Sequence, residues 1–265
     1  MKKKKIITIT VLFLLILILS FLIFTVFNIF YNKYSCEANY LDFANKNENV
    51  IFSINKCVLF SNCNAKNKTN STTSFTIENL YQYTDIALFI NNNSKENTLE
   101  NTLKNVKINN LKFSTSPEIG KQNIFYKNIN SFAENIIPQE NVFEDELIFN
   151  ISSNDNEDLR VPTLYNNCAN PITLTYINNN LKTDYAIPDN TGSITYDGSL
   201  LKRCGILLNS LNAKFSFDIY ITNNLDQEFK CTVYIEPPIE NKDKSLYDGN
   251  ITKTQNVNYN FYRYK

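Results

Sequence analysis

Six cysteines, a few close-set carboxylates and a tyrosine-rich C-terminus are the groups that could do chemistry in this 265-residue chain, which contains no histidine. Without imidazole, Ser-His-Asp and Cys-His catalysis and every histidine metal site are excluded. There is no Walker loop and no G-x-G-x-x-G stretch, so phosphate cradling by those routes is excluded as well. The cysteines, at positions 36, 57, 63, 168, 204 and 231, form no C-x-x-C pair, and no zinc site is expected. No catalytic residue, metal ligand or cofactor site is assigned from the sequence.

Carboxylates remain. Glu144 and Glu146 would share one face of a strand beginning near Leu147, and paired acids can do glycosidase work. The plainer reading is a solvated strand edge. Asn154-Asp155-Asn156-Glu157-Asp158 is oxygen-rich enough for Ca²⁺ but lacks the glycine and distal glutamate of an EF-hand, which favours an ordinary polar loop. In Tyr81-Gln82-Tyr83-Thr84-Asp85, an acid enters an apolar run and needs a hydrogen-bonding partner there, as a structural corner would supply. Tyr259, Phe261, Tyr262, Arg263, Tyr264 and Lys265 mix aromatic and basic groups, as tails that bind glycans or nucleic acids do. A frayed end or an edge strand is the simpler expectation.

All six cysteines lie beyond the apolar N-terminal stretch, and an even count in an exported region permits disulfides, each worth about 2 to 4 kcal/mol. Cys57 with Cys63 and Cys168 with Cys204 are candidate pairs. Cys36 and Cys231 complete the set, although a thiol on a buried strand face, as at Cys231, also packs as a small hydrophobe.

The strongest signal in the chain is physical rather than catalytic. Residues 6–30 carry no charge, and 20 of these 25 are Ile, Leu, Val or Phe. At ~1.5 Å per residue they reach ~37 Å, against a hydrocarbon core of ~30 Å. Their summed insertion energy is about −6 to −12 kcal/mol. Lys2, Lys3, Lys4 and Lys5 precede the segment and only Lys33 follows it closely, so the positive-inside rule predicts a cytoplasmic N-terminus and an extracellular C-terminal domain. Phe27-Asn28-Ile29-Phe30-Tyr31 offers no small-x-small cleavage site, which favours an uncleaved signal-anchor embedded in the bilayer over a signal peptide.

Beyond residue 48, period-two alternation dominates. Phe215, Phe217, Ile219 and Ile221 face one way, with Lys214, Ser216, Asp218 and Tyr220 opposite. Phe229, Cys231, Val233 and Ile235 repeat the pattern, and Asn223-Asn224-Leu225-Asp226 between the runs predicts a hairpin. Pro237-Pro238 ends it. Further strands are predicted at 50–60, 75–77, 86–90, 106–113, 147–151, 172–177 and 194–196, with a bulge at Asn109-Asn110. Ser131-Phe132-Ala133-Glu134 fits a helix-starting capping box, and 200–211 is a second helix candidate weakened by Gly205.

Together these predict a mainly β chain: an antiparallel β-sandwich preceded by one transmembrane helix. The expected organisation is a basic tail (1–5), a transmembrane signal-anchor (6–30), a stalk (31–47), a sandwich ectodomain (48–238) and a polar C-terminal tail (239–265). Asn, Lys and Ile are in excess, as an AT-rich bacterial genome produces, and only five glycines are present. Left-handed turn positions should therefore fall to Asn. Residues 31–265 hold 22 basic against 26 acidic residues, a net −4 that gives no electrostatic reason to expect nucleic acid as a partner.

Gln82-Tyr83-Thr84-Asp85-Ile86-Ala87, Pro162-Thr163-Leu164-Tyr165, Asn170-Pro171-Ile172-Thr173-Leu174 and Asp197-Gly198-Ser199-Leu200-Leu201 occur in an order that resembles an uncharacterised group of signal-anchored, surface-exposed β-sandwich proteins of low-GC Gram-positive bacteria. The resemblance implies fold and cell-surface location, and no activity. The expected function is that of a non-enzymatic binding or structural surface module with a protein or cell-envelope partner. The alternatives are a tethered Asp/Glu-dependent hydrolase of envelope glycans and an accessory subunit of an envelope or export complex.

Overall fold

The computed structural model describes residues 2–47, 50–70, 75–94, 98–136, 138, 140–151, 162–164, 171–187 and 194–265. One helix, α1 (Lys2–Lys46), opens the chain. It does not stop where the apolar stretch stops: residues 31–46, expected as a separate stalk, continue the same helix. Its side chains from Val11 to Phe30 are exposed, and mean hydropathy reaches 2.8, so it is long and apolar enough to cross a membrane. Ser20 Oγ donates to Leu17 O at 2.9 Å and Thr25 Oγ1 donates to Phe21 O, so both hydroxyls are satisfied within the helix, without water.

The remaining chain forms β1 (Phe52–Asn70), β2 (Phe75–Asn92), β3 (Leu103–Thr115), β4 (Lys121–Tyr126), β5 (Glu146–Ile151), β6 (Thr163–Leu164), β7 (Pro171–Ala186), β8 (Lys214–Asn223), β9 (Glu228–Ile235), β10 (Ile251–Asn260) and β11 (Tyr262–Arg263). One sheet has the order β10-β1-β2-β7-β4 and the other β11-β9-β8-β3-β5-β6. Every pairing is antiparallel except the two-residue contact of β5 with β6. This is the expected antiparallel architecture.

Local chemistry explains the turns. Asn223 Oδ1 accepts from the amides of Leu225 (3.0 Å) and Gln227 (2.9 Å), and Asp226 takes φ 60°, closing the β8–β9 hairpin. Asn110, at φ 56°, sits in the register break between Asn109 and Lys112, the predicted bulge. Of the seven described non-glycine residues with positive φ, four are Asn, so asparagine does fill places that glycine fills elsewhere.

The main core lies between the sheets. Phe52, Ile86, Leu88 and Leu174 of one face Val106, Phe149, Phe217 and Ile219 of the other. Tyr176 stacks on Phe215 at 5.5 Å, and Phe52 meets Phe229 edge-on at 5.5 Å. β1, β2 and β7 run 19, 18 and 16 residues, whereas the longest strand of the second sheet has 13. At ~3.3 Å per residue the first sheet therefore overhangs the second. Beneath the overhang, a second core forms from Cys63, Ile77 and Leu80 against Leu201, Leu211 and Leu246. A fully buried polar row on the inward face of the long strands separates the two. Ser61 and Thr84 share a hydrogen bond of 2.7 Å, Gln82 Nε2 donates to Thr84 Oγ1 at 2.8 Å, and Asn178 Nδ2 donates to Ile119 O at 2.9 Å.

Four further expectations are corrected. The capping-box helix at Ser131 does not form: Asn128 instead caps a single 3-10 turn (Ile129–Ser131), and Ala133 leaves helical space at φ 64°. Residues 194–196 are not a strand. The helix candidate over 200–211 is split by Gly205, at φ 67°, into a short α2 (Ser199–Arg203) and a 3-10 turn (Leu208–Leu211). Residues 239–265 are not a free polar tail but take the edge-strand alternative that the sequence left open. β10 completes the edge of the first sheet against β1, and β11 then joins β9 in the second, with Phe261 wholly buried at the crossing.

Candidate functional site

Two buried polar constellations stand out, each on the outer face of one sheet and each covered by a different segment. The first joins the helix to the sandwich. Asp218, Tyr220 and Lys230 lie on the outward faces of β8 and β9, where alternation predicts exposure, yet all three are buried, with Glu37 and Tyr40 of α1, the C-terminal Tyr264 and the bulge residue Asn110 packed around them. Lys230 Nζ lies 2.8 and 3.1 Å from the two carboxylate oxygens of Glu37 and 3.4 Å from Asp218 Oδ2. The rings of Tyr40, Tyr220 and Tyr264 surround it at 5.1 to 5.7 Å. Asp218 also accepts from Thr232 Oγ1 (2.6 Å) and Asn110 Nδ2 (2.8 Å), the latter supplied by the bulge. Burial alone would lower the Lys230 pKa, but the Glu37 hydrogen bonds and the Asp218 charge outweigh it and hold the ammonium above its ordinary value. Tyr40 against Tyr262 (6.2 Å) and Tyr262 Oη donating to Asn47 Oδ1 (2.8 Å) extend the clamp.

The second constellation lies under the segment 127–143, on the outer face of the first sheet. There Phe60, Tyr81, Tyr83, Phe125 and Ile177 form a satellite core with Phe132 and Val142. This cover explains why β2 is buried on both faces around Asp85. The partner that Asp85 requires is Lys127, just past β4: Nζ stands 2.7 Å from Asp85 Oδ2, with the side chains 3 % and 0 % exposed. Lys127 Nζ also donates to Glu134 O at 2.7 Å and lies over the Tyr83 ring at 5.3 Å, while the Ala133 amide donates to Asp85 Oδ2 at 2.9 Å. Thr175 faces Asp85 across the β2–β7 pairing, and its hydroxyl lies close enough to favour the carboxylate although neither it nor Asp85 Oδ1 reaches full hydrogen-bond geometry. Burial pushes the Asp85 carboxyl up and the Lys127 ammonium down, against the attraction between them.

The groups singled out in the sequence are placed as follows. Glu144 and Glu146 are both exposed at the start of β5. Residues 154–158 and Cys168 lie outside the described residues. Cys36, Cys57, Cys63, Cys204 and Cys231 are free thiols. The pair Cys57–Cys63 is ruled out by geometry, because both sit on the continuous strand β1, roughly 20 Å apart. Among the described residues no cluster of three acidic or cysteine side chains could hold a metal ion. The C-terminal aromatics are engaged within the fold: Tyr259 Oη donates to Tyr234 O at 3.1 Å, and Tyr264 packs on Tyr220 at 5.3 Å. The rim between β9 and β10 holds two adjoining clefts of about 250 and 480 Å³, and Tyr40, Tyr234, Tyr259 and Tyr262 are among their lining residues.

The sequence flagged Asp85 but not Lys127, whose neighbours carry no strong alternation. It also missed the Lys230 cage, for which Tyr220, Lys230 and Tyr264 were the available signal. No protein-family model, no curated protein and no solved structure matches the chain.

Proposed function

We propose that this chain is a membrane-anchored, non-enzymatic surface module, with residues 6–30 in the bilayer, Lys2 to Lys5 in the cytoplasm and the sandwich outside the cell. One observation carries the reading. An exposed apolar run passes without a break into a helical end that is clamped to the sandwich through Lys230, Glu37 and Tyr40. A soluble protein would bury such a run, and a cleaved leader would have no reason to extend into a docked, polar helix end. The clamp fixes the sandwich close to the bilayer surface rather than on a flexible leash.

A binding role is supported by the rim between β9 and β10. Tyrosine offers large contact area at low entropic cost and is enriched at protein interfaces, and here Tyr234 is 68 % exposed beside Tyr259. The partner is read as an envelope or extracellular protein.

Two measurements test the proposal in intact cells. Protease added outside should digest the sandwich and leave a protected N-terminal fragment; a protected sandwich overturns the topology. A photo-crosslinker at position 234 should trap one defined protein, lost on Tyr259→Ala; no adduct at native expression overturns the binding role.

A further inference from the structure

The second constellation brings an amine and a carboxyl into contact in a place that water does not reach. Lys127 Nζ and Asp85 Oδ2 are 2.7 Å apart, and the apolar walls are Phe60, Tyr83, Phe125, Ile177, Phe132 and Val142. The surrounding groups are arranged as an acyl-transfer site requires. Glu134 O accepts one Nζ proton and fixes the direction of the amine. The Ala133 amide points at Asp85 Oδ2, where negative charge would develop if Cγ were attacked. Asp85 Oδ1, by contrast, is fully buried and makes no well-formed hydrogen bond; its neighbour is the Thr175 hydroxyl, close enough to favour the carboxylate but short of full hydrogen-bond geometry.

We propose that Lys127 and Asp85 condense to an intramolecular amide, a covalent staple between the end of β4 and the middle of β2. In the starting pair the ammonium gives up a proton and the carboxyl carries it on Oδ1, leaving Oδ2 as the carbonyl oxygen; the result is a neutral amine and a neutral acid. Burial favours this exchange because it disfavours both charges. The Nζ lone pair then attacks Cγ, forming the Nζ–Cγ bond and placing negative charge on Oδ2 against the Ala133 N–H. As that charge collapses, the Cγ–Oδ1 bond breaks and Oδ1, already carrying the acid proton, takes a second proton from Nζ and leaves as water. One amine and one acid become one amide and one water, with no oxidant or cofactor. Contact geometry supplies the effective concentration that a dilute amine and acid lack, and the dry pocket disfavours the reverse hydrolysis.

The product removes what is unfavourable in the pair. Two buried charges disappear, and the oxygen that leaves is the one without a well-formed hydrogen bond. The two groups that remain keep theirs: the amide N–H donates to Glu134 O, and the amide oxygen accepts from Ala133. A cell-surface module gains a cross-link that survives reduction, which its free thiols do not provide.

Peptide mapping of the full chain, purified in detergent and reduced, tests the staple. The expected result is a linked pair of peptides joined through Lys127 and Asp85, lighter by one water than their sum, with no tryptic cut after Lys127. Lys127→Arg should restore separate peptides at full mass. Separate, unmodified peptides from the wild-type chain overturn the proposal whether or not the variant folds, and so does a water loss located at any other residue.

Discussion

Lys230 Nζ lies 2.8 Å from Glu37 Oε1, so a residue on β9 is held by one near the end of the N-terminal helix. The two partners are not equivalent. The Lys230 side chain is 8 % exposed and that of Glu37 36 %, so water partly replaces Glu37 but not Lys230. Lys230→Met should lower unfolding stability by about 3 kcal/mol, because Asp218 then stays buried without a cation. Glu37→Gln should cost at most about 1 kcal/mol. Chemical unfolding in detergent, monitored by tyrosine fluorescence, checks both; equal losses would contradict the asymmetry.

The same lysine sets a pH dependence. Burial alone would depress its pKa, but Glu37 and Asp218 raise it above 10.5. A pKa raised on folding gives stability that is complete below the unfolded value and is lost as pH rises through the folded one. The stability gap between wild type and Lys230→Met should therefore stay constant from about pH 6 to about pH 9, then shrink at higher pH. Thermal melts across that range decide.

Thiol reactivity should be graded by burial. Burial raises Cys57 and Cys204 to about 11 and pushes Cys63 and Cys231 well above the ordinary thiol range. Among the five described cysteines, only Cys36 is not buried. Iodoacetamide at about pH 8 should label Cys36 in the native protein, and the other four only after denaturation. Rapid native labelling of Cys63 would show that the second core opens.

Gly198 is needed for space. A Cβ there would stand 1.8 Å from Leu246 O and 2.2 Å from Gly249 O, both backbone atoms that cannot swing aside. The Gly198 amide donates to Gly249 O at 2.8 Å, and that close approach brings the Leu246 turn onto α2. Gly198→Ala should cost about 3 kcal/mol or more. Gly205→Ala, with open space around it and only a positive φ to strain, should cost about 1 kcal/mol.

Phe261 anchors the crossing strand. It is wholly buried between the sheets, and Phe261→Ala should cost about 3 to 5 kcal/mol. Exposed Tyr234→Ala should change stability by less than about 0.5 kcal/mol, so the two substitutions separate packing from binding.

Sheet-level order was legible because alternation reports which face is buried. Phe215 to Ile221 and Phe229 to Ile235 took the predicted faces, and the Asn109-Asn110 bulge fell in place. What alternation cannot report is a second covering layer. Asp218, Tyr220 and Lys230 read as solvent-facing until α1 and Tyr264 lie over them, and Asp85 reads as misplaced until Lys127 arrives from just past β4. β10 was legible only as an alternative to a free end: Thr252, Lys253, Thr254 and Gln255 are polar throughout, since an edge strand needs little apolar surface. The Ser131 capping box had the right residues, but Lys127 and Asp85 draw Ala133 and Glu134 into a non-helical path.

The strand that crosses between the sheets also imposes a schedule on biogenesis. Ser53 pairs with Asn260, so one of the earliest sandwich segments to be synthesised waits for one of the latest. Until then β1 presents a bare hydrogen-bonding flank that invites mispairing with other nascent chains. Contacts so remote in sequence make for slow maturation. Hydrogen–deuterium pulse labelling during refolding should find the amides of β1 and β10 acquiring protection together, and last.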